Sequence, residues 1–393
     1  MAAAPTSTQA PPPRSAPPPP RRRERLRDRA QHFWGRVTEG LELDQLWSEF
    51  KSEARTSYRL YARDVDAKGI DHSQKHSWWE VCKEFFWAFL MKLSPARRVL
   101  LLIALVLLLT PAARMQSGNF SLNTTGTSTW GGLLLLVLLL LETSDRVTMK
   151  RDLQIAREIQ SWLVPETPPQ IAGLDVAFVT RPANTVAGDY YDVFRKPGSA
   201  DNGRVLLTVA DVAGKSIPAA LLMASFQASL QTLSTTPCTL AELVTGLNRF
   251  SCAHSSGGRR FTTAFLAELD PVTGDLTYTN AGHNLPFLRR TSGGIERLDV
   301  GGLPLGVLPD APYQCGSAAL RTGDMLLIFT DGLVEAVNEG GAEYEESPVL
   351  RVLERCGNLP AAEILRELML DVNLFVGTAS QHDDITCLVV RKT

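Results

Sequence analysis

Residues 206–224 read LLTVADVAGKSIPAALLMA. The first part, within Arg204–Val212, is an apolar run suited to a buried strand, and it delivers Asp211 at its end. The second part, Pro218–Leu233, has the Pro-initiated, Leu- and Ala-rich character of a helix. A carboxylate at the mouth of a buried strand is costly unless something neutralises it. The same arrangement recurs: LLIFTD ends in Asp331, and Asp383-Asp384 opens DDITCLVV. A fourth acidic cluster, Gly188-Asp189-Tyr190-Tyr191-Asp192, lies upstream. If these strand ends converge, they form an oxygen-rich pocket suited to hard divalent cations.

Around this stretch, residues 170–393 alternate between strand and helix patterns. Strands are predicted at Asp175–Thr180, Arg204–Val212, Thr262–Leu269, Leu276–Asn280, Met325–Thr330 and Ile385–Arg391, with helices at Pro218–Leu233, Leu240–Ala253, Ser347–Cys356 and Ala361–Phe375. The segment Asp270–Asp275 reads as a turn between antiparallel strands. Strands in runs with helices grouped between them fit a layered α+β domain better than a strict βαβ repeat. The chain carries no P-loop, GxSxG or HExxH pattern.

The N-terminal part differs. Residues 1–30 are Pro- and Arg-rich, with seven Arg against Glu24 and Asp28. They cannot bury a core and are expected to be a disordered tail. The net charge of -2 thus divides into about +5 there and -7 elsewhere. Residues 31–93 read as helical, and the aromatic segment Trp78–Leu90 suits either a bilayer headgroup region or a packed protein face. The apolar stretches Val99–Thr110 and Leu133–Leu141 lead to the expectation of a transmembrane hairpin over residues 97–143, with membrane lipid as a partner. Flanking Arg97, Arg98, Arg146, Lys150 and Arg151 place both ends in the cytoplasm, so the expected location is the cytoplasmic (inner) membrane with the catalytic domain on the cytoplasmic face.

A linker helix is predicted over residues 144–165, where Val147, Leu153, Ala156, Ile159 and Leu163 form an apolar stripe before Pro165. One reading of that stripe is a homodimer seam. Six scattered cysteines, with no metal-ligand spacing, fit a reducing compartment. No nucleic-acid partner is expected.

The segments LQIAREIQSWLVP, VAGDYYDVF, LLTVADVAGKSIPAALLMA, YTNAGHNLPFLRR, GGLPLGVLPDAPY, LLIFTDGLVEAVN and HDDITCLVV, in this order over residues 150–393, resemble the type 2C metal-dependent protein phosphatases, in particular the bacterial SpoIIE/RsbU-like branch. The resemblance implies a four-layer αββα sandwich with two Mn2+ or Mg2+ ions between its sheets. It implies that Asp189 binds one ion, that Asp211 bridges both with the Val212 carbonyl beside it, and that Asp331 and Asp383 hold the other. Asp384 is an alternative to Asp383, because adjacent aspartates blur the register. Asp192 is expected to stand behind the ligands. The implied activity is hydrolysis of phosphoserine or phosphothreonine on a phosphoprotein of the anti-anti-sigma type, within sigma-factor regulation. The competing expectation is an idle phosphatase-like scaffold. Ser216 departs from the family pattern, which has glycine there, and is expected either to alter the helix start or to cap it. His283 reads as a structural or substrate-edge histidine, with a proton-transfer role left open, and Arg181 as a phosphate contact.

Overall fold

In the computed structural model, the described residues are 86–87, 90–91, 93–110, 114–117, 120–123, 126–196, 203–254 and 260–393. The tail at 1–30 and most of the helical region expected at 31–93 lie outside them. The chain divides into two compact units, Met1–Leu141 and Glu142–Thr393.

In the first unit, helix α1 (Pro95–Leu109) starts with Pro in its first turn, and a short antiparallel pair follows, β1 (Arg114–Ser117) with β2 (Phe120–Asn123). Helix α2 (Thr127–Ser161) begins here and continues into the second unit, so the second apolar stretch and the linker form one helix. The expected membrane hairpin is not borne out. At 15 residues α1 reaches about 22 Å, against a hydrocarbon core of about 30 Å. In α2 the apolar run ends at Leu141, and Glu142, Asp145 and Arg146 follow. Among the described residues no helix is long and apolar enough to cross a membrane.

The second unit contributes eleven strands in chain order: β3 (Leu174–Arg181), β4 (Tyr190–Arg195), β5 (Val205–Val212), β6 (Thr262–Leu269), β7 (Asp275–Ala281), β8 (Phe287–Arg289), β9 (Ile295–Arg297), β10 (Gly301–Gly302), β11 (Gly316–Ala319), β12 (Met325–Phe329) and β13 (Ile385–Lys392). They form two antiparallel-dominated sheets. One has the order β10–β7–β6–β5–β4, with β11 also pairing with β7, and the other runs β3–β13–β12–β8–β9. Helices α3 (Ile217–Ser234) and α4 (Leu240–His254) cover the first sheet. A single turn, α5 (Asp331–Val334), follows β12, and helices α6 (Glu346–Cys356) and α7 (Ala361–Val376) cover the second sheet.

The layering explains the continuous apolar runs. Along β12 and β13, Leu326, Ile328, Leu388 and Val390 enter the core between the sheets, where they join Leu207, Val209 and Phe265 from β5 and β6. Their alternates Met325, Leu327, Phe329, Cys387 and Val389 pack against α6 and α7. Strands covered on both faces have no polar side to show, so period-2 alternation disappears. Burial of each such side chain contributes roughly 1.5–3 kcal/mol. The fold is thus α+β, with helices outside two facing sheets. The turn at Asp270–Asp275 forms as expected: Asp270 Oδ1 accepts from Val272 and Thr273 N–H, and Gly274 adopts φ 80°.

Candidate active site

The strand ends bring the acidic residues together. Asp189 immediately precedes β4, and Asp211 lies near the end of β5, where Tyr190 pairs with Ala210 and Asp211 with Thr263. Asp331 opens α5 directly after β12, and Asp383-Asp384 precede β13, which pairs with β12. Thr330 joins the two sheets at this point. Its hydroxyl donates to Asp189 Oδ2 at 2.9 Å and accepts from Thr386 N–H at 2.9 Å, while its own N–H donates to the Thr386 carbonyl. Thr330 lies inside the FTDG segment, but a hydroxyl does not announce such a role in sequence.

The paired aspartates occupy different environments. Asp384 is buried, and its two oxygens accept from Ala183 N–H and Gly188 N–H, both at 2.7 Å. It therefore shapes the loop that presents Asp189. Asp383 faces outward, with Oδ2 2.9 Å from Lys215 Nζ and Oδ1 accepting from Asp384 N–H. Asp192 is turned away from the cluster: Tyr190 OH and Gln231 Nε2 donate to it, each at 2.7 Å.

Close backbone approach is built in at Gly332. A Cβ there would stand 2.0 Å from the Asp384 carbonyl oxygen. Gly188 faces the Val212 carbonyl, which a Cβ would meet at 3.2 Å.

The charges repel. Burial, then Asp211, hold the Asp189 carboxyl well above the usual range. Burial raises Asp211 to about 7, reinforced by Asp331, Asp383 and Asp384, and only partly offset by a hydrogen bond with Asp189. Asp331 is raised by burial and by Asp383. Such a site favours added positive charge.

Several surrounding residues are not legible in sequence. Gln160, in the last turn of α2, pairs its side-chain amide with Ala187: Nε2 donates to the carbonyl at 2.7 Å and Oε1 accepts from the N–H at 2.9 Å. The end of the linker helix is thereby fastened next to Gly188-Asp189. A cavity of about 250 Å³ opens beside it, lined by Arg157, Gln160, Val164, Asp189 and Tyr191. A second cavity, about 190 Å³, adjoins Asp383, Lys215 and Arg181. Arg181 Nη1 donates to Asn373. His283 is fully enclosed, contacts Thr263 Oγ1 through Nδ1 at 3.0 Å, and is pulled down to about 4 by burial. Its backbone is tied at both N–H and carbonyl by the Asn280 side chain. These contacts agree with a structural histidine. Ser216 has φ 65° and makes no side-chain cap, so it alters the backbone at the helix start without capping it.

Residues 201–393 match the family model described as Stage II sporulation protein E (SpoIIE). The chain is similar to phosphoserine phosphatase RsbU of Bacillus subtilis (strain 168), 29% identical over 245 residues that cover 62% of this chain and 71% of that protein. Residues 201–393 thus form a SpoIIE-type domain, in a chain similar to the RsbU phosphatase. Protein IcfG of Synechocystis is 25% identical over 278 residues, 64% of this chain and 43% of IcfG. Among solved structures, the SiaA-PP2C domain of Pseudomonas aeruginosa superposes with a TM-score of 0.55 at 20% identity, over 63% of this chain and 99% of that one, which shows the shared fold. The SpoIIE/RsbU-type domain is accordingly a protein serine/threonine phosphatase, and the expectation of an idle scaffold has no support.

PP2C-type phosphatases depend on Mn2+ or Mg2+, and the chemistry of the donor set decides whether such ions fit here. Among the described residues no three acidic, histidine or cysteine side chains close into a ready cage. Hard divalent ions do not require one, since Mg2+ keeps several waters and uses one or two carboxylates. The all-oxygen set of Asp189, Asp211, Asp331 and Asp383, with its mutual repulsion, fits such ions.

Proposed function

We propose that this phosphatase hydrolyses phosphoserine or phosphothreonine on a small anti-anti-sigma-type regulator, with two divalent ions held at the acidic cluster. The observation that carries the reading is the convergence of Asp189, Asp211, Asp331 and Asp383 at four strand or loop ends, with Asp211 raised by the others. Asp189, Asp211, Asp331 and Asp383 would hold the ions, with the Val212 carbonyl, which faces Gly188, as a further oxygen donor. Bound there, the ions would supply an acidified water and neutralise charge on the phosphate.

The chain's own residues do the rest. Thr330 orients Asp189 by donating to Oδ2, and Asp384 fixes the preceding loop through two backbone N–H groups. The Arg181 side chain lines the cavity beside Asp383 and offers a cationic contact to a phosphate group. Support for the substrate class comes from the similarity to a phosphoserine phosphatase.

Regulation is assigned to α2. Its end is fastened to the Asp189 loop by Gln160, so a shift of the helix changes the presentation of Asp189. Val147, Ile155 and Ile159 remain exposed on this helix, with Trp162 directly after its end, and supply an apolar stripe for a second copy of the chain. A reducing, cytoplasmic setting for the domain belongs to this reading, motivated by six scattered cysteines without metal-ligand spacing.

The test is turnover of p-nitrophenyl phosphate and a phosphoserine peptide by the full chain with Mn2+, Mg2+ or EDTA, beside Asp211→Asn. Metal-dependent activity that disappears in the variant supports the reading. Activity that persists in EDTA, or in the variant, refutes it.

A further inference from the structure

Lys215 is the feature of this cleft whose pairing the assigned chemistry leaves unexplained. Its ammonium lies 2.9 Å from Asp383 Oδ2 and donates to the His382 carbonyl at 2.6 Å. The turn that carries it is unusual. Gly214 has φ 120°, and Ser216 on the other side has φ 65° and ψ -148°, a region that side-chain-bearing residues enter only under strain. Lysine is thus delivered to the acidic cluster by a turn with positive-φ residues on both sides.

We propose that Lys215 is an internal counter-ion for the acidic cluster, sitting on Asp383 in the ion-free protein and displaced when a divalent cation takes that carboxylate. The inference rests on the metal-phosphatase reading above and adds a control on ion affinity. The ammonium and a divalent cation compete for one oxygen ligand, and their charges repel at short range. Ion binding therefore has to break the Lys215–Asp383 pair and move the ammonium out along its flexible stem. The half-exposed position of Lys215 makes that movement feasible without unfolding the turn. A cation with a 2+ charge wins the carboxylate once its concentration is high enough, which sets the loading threshold above that of the bare cluster.

The measurement is calorimetric titration of the full chain, previously treated with EDTA, with MnCl2, together with the Mn2+-dependent rise in Tm. Lys215→Met should bind Mn2+ more tightly than wild type by roughly five- to tenfold, from removal of a unit charge and of a partly exposed ion pair. Lys215→Arg should stay near wild type. In an Asp383→Asn background, Lys215→Met should give a much smaller gain. Equal or weaker binding by Lys215→Met overturns the proposal, because it would mean that the lysine orders the site for the ion. An undiminished gain in the Asp383→Asn background overturns it as well, since the competition would not be for that carboxylate. If wild type takes up no Mn2+ at all, the metal-phosphatase reading itself fails, a result distinct from a wild type that binds and a variant that does not differ.

Discussion

Replacing Gly332 by Ala should disable the site while leaving the fold in place. The new methyl would stand 2.0 Å from the Asp384 carbonyl oxygen and 2.9 Å from its carbon. Carbon–oxygen contacts settle at about 3.3 Å, so the two segments must separate by about 1.3 Å. They are the segments that present Asp331 and Asp383, and β12 and β13 hold them together through the Thr330–Thr386 bonds. Overpacking of this kind costs about 1–3 kcal/mol, or a fall in Tm of roughly 2–12 °C for a domain of this size. A displacement of about 1 Å at catalytic groups costs about 100-fold in rate. The assay is Mn2+-dependent turnover of a phosphoserine peptide at a temperature at which circular dichroism shows the variant folded. Gly188→Ala is the control: its Cβ meets the Val212 carbonyl at 3.2 Å, a contact relieved by a small local shift, so it should lose far less activity. A folded Gly332→Ala enzyme within about threefold of wild-type turnover would refute the steric argument, given the loss expected from such a displacement.

Thr330→Val removes one donor and one acceptor from a buried pair of bonds and should cost about 2–4 kcal/mol in urea denaturation, whereas Thr330→Ser should recover most of it; equal stability of Val and Ser variants would show that the hydroxyl does not matter. The ion-free protein should lose stability as pH rises. Asp211 has a folded value of about 7 against an ordinary 3.8, so between these values the native state binds more protons than the unfolded chain, and stability falls with rising pH across that window. Thermal melts in EDTA from about pH 5.5 to 8 should show this fall, and saturating Mn2+ should flatten it; a pH-independent Tm in EDTA counts against the cluster's repulsion. Ile159→Asp, on the exposed stripe of α2, should change phosphatase activity of the full chain without changing Mn2+ affinity, and unchanged turnover would remove α2 from the regulatory account.

Elements buried on both faces are the most legible in the sequence. Thr262–Leu269 and Leu240–His254 emerge at or within a residue of their expected bounds, because long apolar runs and helical stripes survive any tertiary context. Strand β4 is not legible: its YYDVFR carries Asp192 in the middle, and only the structure shows that Tyr190 and Gln231 stabilise that carboxylate inside a sheet. The short strands β8 to β11 rest on pairing partners that no local pattern encodes. The N-terminal apolar stretches mislead for a related reason. Hydropathy registers leucines without registering how soon the helix turns polar, and in α2 it does so directly after Leu141. The four acidic positions are legible as motifs. Their supports are not: Thr330, Gln160 and Lys215 act through geometry, and each has an ordinary identity in sequence.

The division of labour between Asp383 and Asp384 shows why adjacency in sequence carries so little information about role. Successive residues at the entrance of a strand point to opposite sides. Asp384 turns inward and meets two backbone N–H groups, which relieve much of the cost of burying it although burial still raises its proton affinity. Asp383 turns outward, where the Lys215 ammonium meets it on a flexible stem. A carboxylate already bonded to backbone donors is a poor site for exchange, since a cation would have to replace fixed partners with no gain in freedom. One held by a flexible lysine can give up its partner at low cost. The pair therefore separates a fixed function from an exchangeable one, and the exchange of Nζ for a divalent ion at Asp383 is the point at which metal supply can govern the enzyme.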